Sequence, residues 1–232
     1  MVKAMETFEI WRTDSYFDEG TRNELELIKS DSDEITERFY KYLEFGTGGL
    51  RGIIGAGTNR MNIYTVALAT EAFARYIDSL NLSAESKSVA ISYDSRQYSK
   101  EFALKAALVF ASHKIKVYLS DELRPTPMLS FAVRHFATAG GVMITASHNP
   151  AKYNGFKAYG SDGGQMTPEA ADQIISYMED ISDIRSVSHI NEQEAVSGGL
   201  LEYFGNDFDD IYSDMLSNLV INRDVVLQNK DM

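Results

Sequence analysis

Three short runs concentrate the residues that could do chemistry. Thr145–Pro150 (TASHNP) is followed closely by Tyr153–Lys157 (YNGFK), so a serine hydroxyl (Ser147), an imidazole (His148), a side-chain amide (Asn149) and an amine (Lys157) come from one stretch. Phe45–Gly57 (FGTGGLRGIIGAG) places Arg51 in a glycine-dense segment, and Tyr93–Arg96 (YDSR) sets Asp94 beside Arg96. Taken alone, Ser147 ahead of Asn-Pro is ordinary turn chemistry. Likewise Arg51 alone is a surface arginine in a loop, Lys157 alone a strand-edge lysine that discourages aggregation, and Asp94 with Arg96 either a local salt bridge or a support for a site. The combination of a hydroxyl with cations drawn from separate stretches argues for handling an anion.

Other chemistries fit less well. A Ser-His hydrolase dyad lacks the G-x-S-x-G elbow, and adjacent residues of an extended segment point opposite ways, which is poor geometry for Ser147 to pass a proton to His148. The glycine run lacks G-x-x-x-x-G-K-[ST] and follows a helical stretch rather than a strand, which argues against a nucleotide loop. Asp162, in the turn GSDGG, reads as a locally hydrogen-bonding turn residue and not a metal ligand.

With TASHNP, YNGFK, FGTGGLRG and YDSR all present, the chain resembles the phosphohexomutase family, the phosphoglucomutases and phosphomannomutases, over roughly residues 10 to 232. The GTGGLRG form is similar to the longer phosphoglucomutase and phosphopentomutase branch. The resemblance implies that Ser147 is the phosphorylated serine, that Lys157 helps activate the sugar hydroxyl, and that Arg51 is the arginine of the N-terminal active-site loop. It implies an orienting or phosphate-contacting role for His148, and substrate or phosphate contacts for Thr47, Gly48, Arg96 and Asn149. Mg2+ bound through the Ser147 phosphate is implied as cofactor, with a sugar bisphosphate as activator and a small sugar phosphate as substrate. A phosphoserine carries about −1.5 to −2 charges at neutral pH, so moving its phosphoryl group to an anionic sugar phosphate needs cations such as Arg51 and Lys157.

Such enzymes build their active site from four domains, with an aspartate-rich D-G-D-G-D-R metal loop in the second. No such loop occurs here, so the chain is expected to be a fragment or truncated gene product, with little activity by itself and apolar surface that favours self-association. The competing expectation is a non-catalytic binding or scaffold protein that retains the first domain.

The elements that must position these residues alternate between helices and short apolar strands from about residue 62, which predicts an α/β architecture. The resemblance implies its three-layer α/β/α form with a mixed, mainly parallel sheet. Residues 1–44 read as a helical lead-in, with Thr21 and Glu24 at capping-box spacing and Ile35, Phe39, Tyr42 and Leu43 on a packing face. The stretch 45–57 is expected to be an ordered loop. Helices are predicted around Val66–Leu80, Phe102–Phe110, Thr126–His135, where Thr126 and Pro127 act as cap and first turn, and Thr167–Ile181; strands are predicted at Val89–Tyr93, Val117–Leu119, Gly141–Thr145 and Phe156–Tyr159. Ser147 then falls just past a strand's carboxyl end, where ligands of parallel sheets gather. A first domain over 45–200 and the start of a second over 201–232 are expected, with a looser segment at 183–206 and a last helix from Phe208 to Leu219.

Composition narrows the partners. A net charge of −12 disfavours nucleic acid and anionic membranes over most of the surface, while leaving room for a local cationic cleft. The chain has no cysteine, which suits a reducing compartment, and neither a secretory h-region nor an apolar run of spanning length, so the cytoplasm is the expected location.

Overall fold

A computed structural model describes residues 2–46 and 48–229. Val2–Thr13 (α1), Glu19–Leu27 (α2) and Ser32–Phe39 (α3) form the lead-in. They are tied together by an aromatic cluster: Trp11 stacks on Phe17 at 4.3 Å and meets Phe39 and Tyr64 edge-on. Phe8, Trp11 and Phe17 are almost fully buried, which stabilises by about 1.5–3 kcal/mol per side chain. The cap of α2 differs from the predicted one. Asp18 accepts from the Thr21 backbone N–H and hydroxyl, so Thr21 sits inside the first turn, where the acidic side chain outcompetes it.

The elements that follow are Gly49–Ile53 (β1), Ile63–Ser79 (α4), Ser88–Tyr93 (β2), Ser99–Ser112 (α5), Lys116–Ser120 (β3) and Thr126–His135 (α6). Gly140–Ile144 (β4), Tyr153–Gly160 (β5), Pro168–Glu179 (α7), Glu192–Ser197 (α8), Leu201–Phe204 (β6), Asn206–Ser217 (α9) and Arg223–Gln228 (α10) complete the order. Among the described residues one six-stranded sheet runs β1-β5-β4-β2-β3-β6. Strands β4, β2, β3 and β6 are mutually parallel, and β5 lies antiparallel between β4 and β1. The sheet is therefore mixed and mainly parallel.

Side-chain alternation sends Val89, Ile91, Val142, Ile144, Phe156 and Ala158 into one core with α4, α5 and α7, and Ala90, Met143 and Tyr159 into a second core under α6 and α9. This is the three-layer α/β/α arrangement. Thr167 caps α7 through the Ala170 N–H as its sequence suggests, whereas the cap position of α6 is Pro125, with Thr126 as the first helical residue.

Two segments that read as irregular are strands. Within the glycine-dense stretch, residues 49–53 pair with β5, and Gly49 makes this possible: its φ of +133° suits glycine, and a Cβ there would lie 1.8 Å from the Phe156 carbonyl oxygen. Residues 201–204, expected to open a second domain, pair with β3 and extend the same sheet, so the expected division at 200/201 is no break in it. On α9 only Phe208 is buried; Ile211, Leu216 and Leu219 of the predicted packing face are exposed. Among the described residues no helix is long and apolar enough to cross a membrane.

Candidate active site

Ser147 lies just past β4 in a tight turn held at both ends. Thr145 continues the pairing of β4, its N–H donating to the Gly155 carbonyl at 3.0 Å, and its hydroxyl then accepts from the Ser147 N–H at 3.0 Å. Asn149 N–H donates back to Ala146, and Tyr153 N–H to Pro150. Ser147 itself has a left-handed backbone, φ +56°, which costs a non-glycine residue on the order of 1–2 kcal/mol and persists only where the surroundings impose it. Its hydroxyl lies beyond the carboxyl end of β4, with the His148 Nδ1 3.4 Å away. That separation exceeds the roughly 2.6–3.2 Å of an effective base contact, so His148 stands beside the hydroxyl without a strong bond to it.

Two cations stand on β1 and β5, beside β4 in the sheet. Arg51 on β1 is opposite Gly155 on β5, and Lys157 is two residues further along β5, so both side chains leave the same face as diagonal neighbours. Gly155 between them is a close-packed point: a Cβ there would sit 2.7 Å from the Thr145 carbonyl oxygen and 2.8 Å from that of Leu50. Arg51 Nη1 donates to the Asn149 side-chain oxygen at 2.9 Å, joining the β1 cation to the serine turn. The Lys157 amine is pulled below the usual lysine range, first by burial and then by the neighbouring Arg51 charge, with Asp94 opposing the shift from a distance. An amine so placed exchanges a proton more readily near neutrality than an exposed lysine.

Arg96 behaves differently from its expected role as a phosphate ligand. Nη1 donates to the carbonyls of Pro150 (3.1 Å) and Tyr153 (3.0 Å), and Nη2 to those of Ser147 and Asn149 (both 2.7 Å). Nε faces the Asp94 carboxylate at 3.6 Å. The four terminal N–H groups of the guanidinium are thereby spent on main-chain oxygens, and the remaining Nε–H lies beside a carboxylate rather than an open anion site.

Asp94 in turn accepts from the Arg96 backbone N–H and from the Ser99 hydroxyl, both at 3.0 Å. Fully buried Asn154 donates to Ser99 Oγ and to the Gln97 carbonyl while its oxygen accepts from Gly155 N–H. Asn154 and Thr145 lie inside the motifs quoted above, where a short polar residue reads as turn chemistry and gives no separate sign of this bracing role. Gly48, expected at the substrate, accepts from Ala158 N–H and packs beside Gln165. Thr47 lies outside the described residues.

A recess of about 460 Å³ opens between the Asp94–Gln97 turn and Ser147, Asn149 and Ala151. Another cavity, about 390 Å³ and lined by Tyr42, Phe45 and Met178 among others, holds none of the residues expected to do chemistry. No group of three or more His, Asp or Glu side chains that could hold a metal occurs among the described residues. Asp94, the carboxylate lining the recess, is already engaged by Arg96 and Ser99. Among the described residues the donor set does not fit a divalent cation.

The comparisons return a family whose first domain has the same α/β/α architecture. The family model described as phosphoglucomutase/phosphomannomutase, alpha/beta/alpha domain I, matches residues 42–185. The chain belongs to the phosphoglucomutase/phosphomannomutase family. A phosphoglucomutase of Staphylococcus aureus strain USA300 is 47% identical over 150 residues, covering 65% of this chain and 27% of the relative. The phosphoglucomutase of the bovine strain RF122 is 46% identical over the same length. Among solved structures, a Thermus thermophilus protein assigned provisionally as a phosphomannomutase superposes with a TM-score of 0.55 at 32% identity, over 66% of this chain and 34% of that one. A phosphoglucomutase/phosphomannomutase family protein of Burkholderia thailandensis shares the fold at 20% identity, with a TM-score of 0.54 over 72% of this chain and 34% of that one. The match of this family member to its curated relatives thus spans about a quarter of their length, 27%.

Proposed function

We propose that this chain carries the phosphoryl-accepting serine of a phosphosugar mutase, which moves phosphate between the 1 position and the terminal hydroxymethyl carbon of a hexose or pentose phosphate. The observation that supports it is the bond from Arg51 to Asn149 of the serine turn, with Lys157 diagonal to Arg51 on the same sheet face. In the forward step the phosphoserine Oγ–P bond breaks as a sugar hydroxyl oxygen bonds to phosphorus. The hydroxyl proton passes by way of the Lys157 amine to Ser147 Oγ, which leaves with the electrons of the broken bond and becomes a hydroxyl again. Arg51 offsets the charge gathered on the transferring group. The sugar bisphosphate so formed turns over and returns its other phosphate to Ser147: the serine oxygen bonds to phosphorus, its proton passes by way of Lys157 to the sugar oxygen, and that oxygen leaves as a hydroxyl. A free sugar bisphosphate would charge an unphosphorylated Ser147 by the same return step.

Mg2+ would assist such a transfer by neutralising phosphate oxygens. This chain offers it the seryl phosphate and, among the described residues, no carboxylate cluster, so the further ligands belong outside them and no step here is routed through the ion. For the same reason the isolated chain is proposed to turn over slowly. A cytoplasmic location and a sugar phosphate as the small-molecule partner belong to the same reading.

The test is to incubate the chain with glucose 1,6-bisphosphate and Mg2+, with and without the remaining domains of a phosphoglucomutase supplied separately, and to map phosphoryl groups by mass spectrometry. Phosphate on Ser147, absent in Ser147→Ala, is the expected result. No phosphate on Ser147 even with the supplementing domains would favour the non-catalytic scaffold.

A further inference from the structure

We infer that Arg96 is a positioning residue that holds Ser147 in its strained conformation, and that it does so by gathering the carbonyls of the serine turn around one guanidinium. The turn from Ser147 to Tyr153 carries few side chains able to fix it: His148 is exposed, Pro150 and Ala151 have no polar side-chain group, and Asn149 is directed to Arg51. What converges is backbone. The oxygens of Ser147, Asn149, Pro150 and Tyr153 all lie within 3.1 Å of the two terminal nitrogens of Arg96. Carbonyls brought to one point repel each other, and a fixed planar fork of charged donors is the side chain that satisfies four of them together.

The arginine is itself anchored. Its side chain is 14% exposed, Asp94 faces Nε and accepts from the Arg96 N–H, and Asp94 N–H donates to Ile144, the last residue of β4. The buried Ser99–Asn154 pair closes the frame from β5. The carboxyl ends of β2 and β4 and the start of β5 therefore meet at this guanidinium. A left-handed serine survives where such a frame over-determines it, and the carbonyl of that serine is one of the four held.

The experiment uses the 232-residue chain with Arg96→Ala and Arg96→Lys. Amide hydrogen exchange at Ser147–Tyr153 is expected to accelerate at least about tenfold in Arg96→Ala, while amides of Val89–Ser92 stay protected and report an intact sheet. Added guanidinium ion should restore protection in Arg96→Ala. Arg96→Lys keeps a charge but not the fork, so it should remain loose and respond to no guanidinium; it also serves if the alanine variant does not fold. Unchanged exchange in both variants overturns the inference. So does a phosphate-dependent shift of the Arg96 side-chain resonance in the wild-type chain titrated with inorganic phosphate, because it would make Arg96 an anion ligand.

A second readout rests on the phosphotransfer reading. Phosphorylation of Ser147 by glucose 1,6-bisphosphate with supplementing domains should lose rate in Arg96→Ala with little change in the half-saturating bisphosphate concentration, and a rise in that concentration alone overturns the positioning role. If the wild-type chain takes up no phosphate, the mutase reading fails while the exchange result still decides the role of Arg96.

Discussion

Gly155→Ala tests the frame at its tightest point. The added methyl would stand 2.7 Å from the Thr145 carbonyl oxygen and 2.8 Å from the Leu50 carbonyl oxygen, both backbone atoms of paired strands that no rotamer change can move aside. Relief needs β5 to shift away from β1 or from the extension of β4, which stretches the Thr145 N–H to Gly155 bond, now 3.0 Å. Overpacking of this kind costs about 1–3 kcal/mol, and the weakened bond adds about 0.5–1.5 kcal/mol. The sum, about 1.5–4.5 kcal/mol, is a large share of the roughly 5–15 kcal/mol that holds a domain, and corresponds to a fall in Tm of about 3–18 °C for a chain of this size. Thermal unfolding followed by circular dichroism measures it. The strain falls on the row that joins Arg51 to the serine turn, so exchange at Ser147 should also rise and phosphorylation at Ser147 should drop. A Tm within about 1 °C of wild type would show that the strands absorb a methyl freely, and the argument that this row rigidly sets the site would be wrong.

Other outcomes follow from the same geometry. Lys157→Met should slow phosphorylation of Ser147 by about 100-fold in the supplemented assay with little loss of stability, and an unchanged rate would remove the amine from the mechanism. In the wild type the rate of transfer from the serine to sugar should climb with pH through a value below the ordinary lysine range, since burial and Arg51 lower it and the neutral amine is the proton acceptor; a profile flat up to the ordinary range would contradict this. Arg51→Ala should lower transfer by about 100- to 1,000-fold while leaving Tm within about 2 °C, because its side chain is exposed. Away from the serine turn, His113 bonds Glu71 at 2.8 Å and Asp78 at 3.2 Å, which raises its pKa, Glu71 contributing most. Because the folded value is raised, this stabilisation is complete below the unfolded value near 6.5 and is lost as pH climbs through the folded value. Urea midpoints across that range should fall in the wild type and not in His113→Gln.

The parts of the fold that are readable from sequence are those whose stabilisation is local. Val89–Tyr93 is a run of strand formers buried on both faces, and Thr167 with Pro168 opens α7 through bonds within one turn. The position of Ser147 follows from the strand before it. By contrast, β1 owes its form to pairing with β5, far along the chain, and its glycines locally favour a loop. The four residues of β6 are too few to show an alternation, and they become a strand because β3 offers an open edge. The role of Arg96 escapes the sequence for a related reason. Its partners are main-chain carbonyls, which carry no residue identity, so no spacing of letters distinguishes a ligand for phosphate from a clamp on the turn.

The pairing of Arg51 with Asn149 spans 98 positions of sequence. A nascent polypeptide leaving the ribosome would hold β1 without a neighbour until β4, the serine turn and β5 had all emerged. Closing so long a loop is slow, and the helices between can form first. The frame around Ser147 therefore closes as one of the last events of folding this layer, and a chain stalled before the end of β5 would contain Ser147 but lack the strand that sets Arg51 beside its turn.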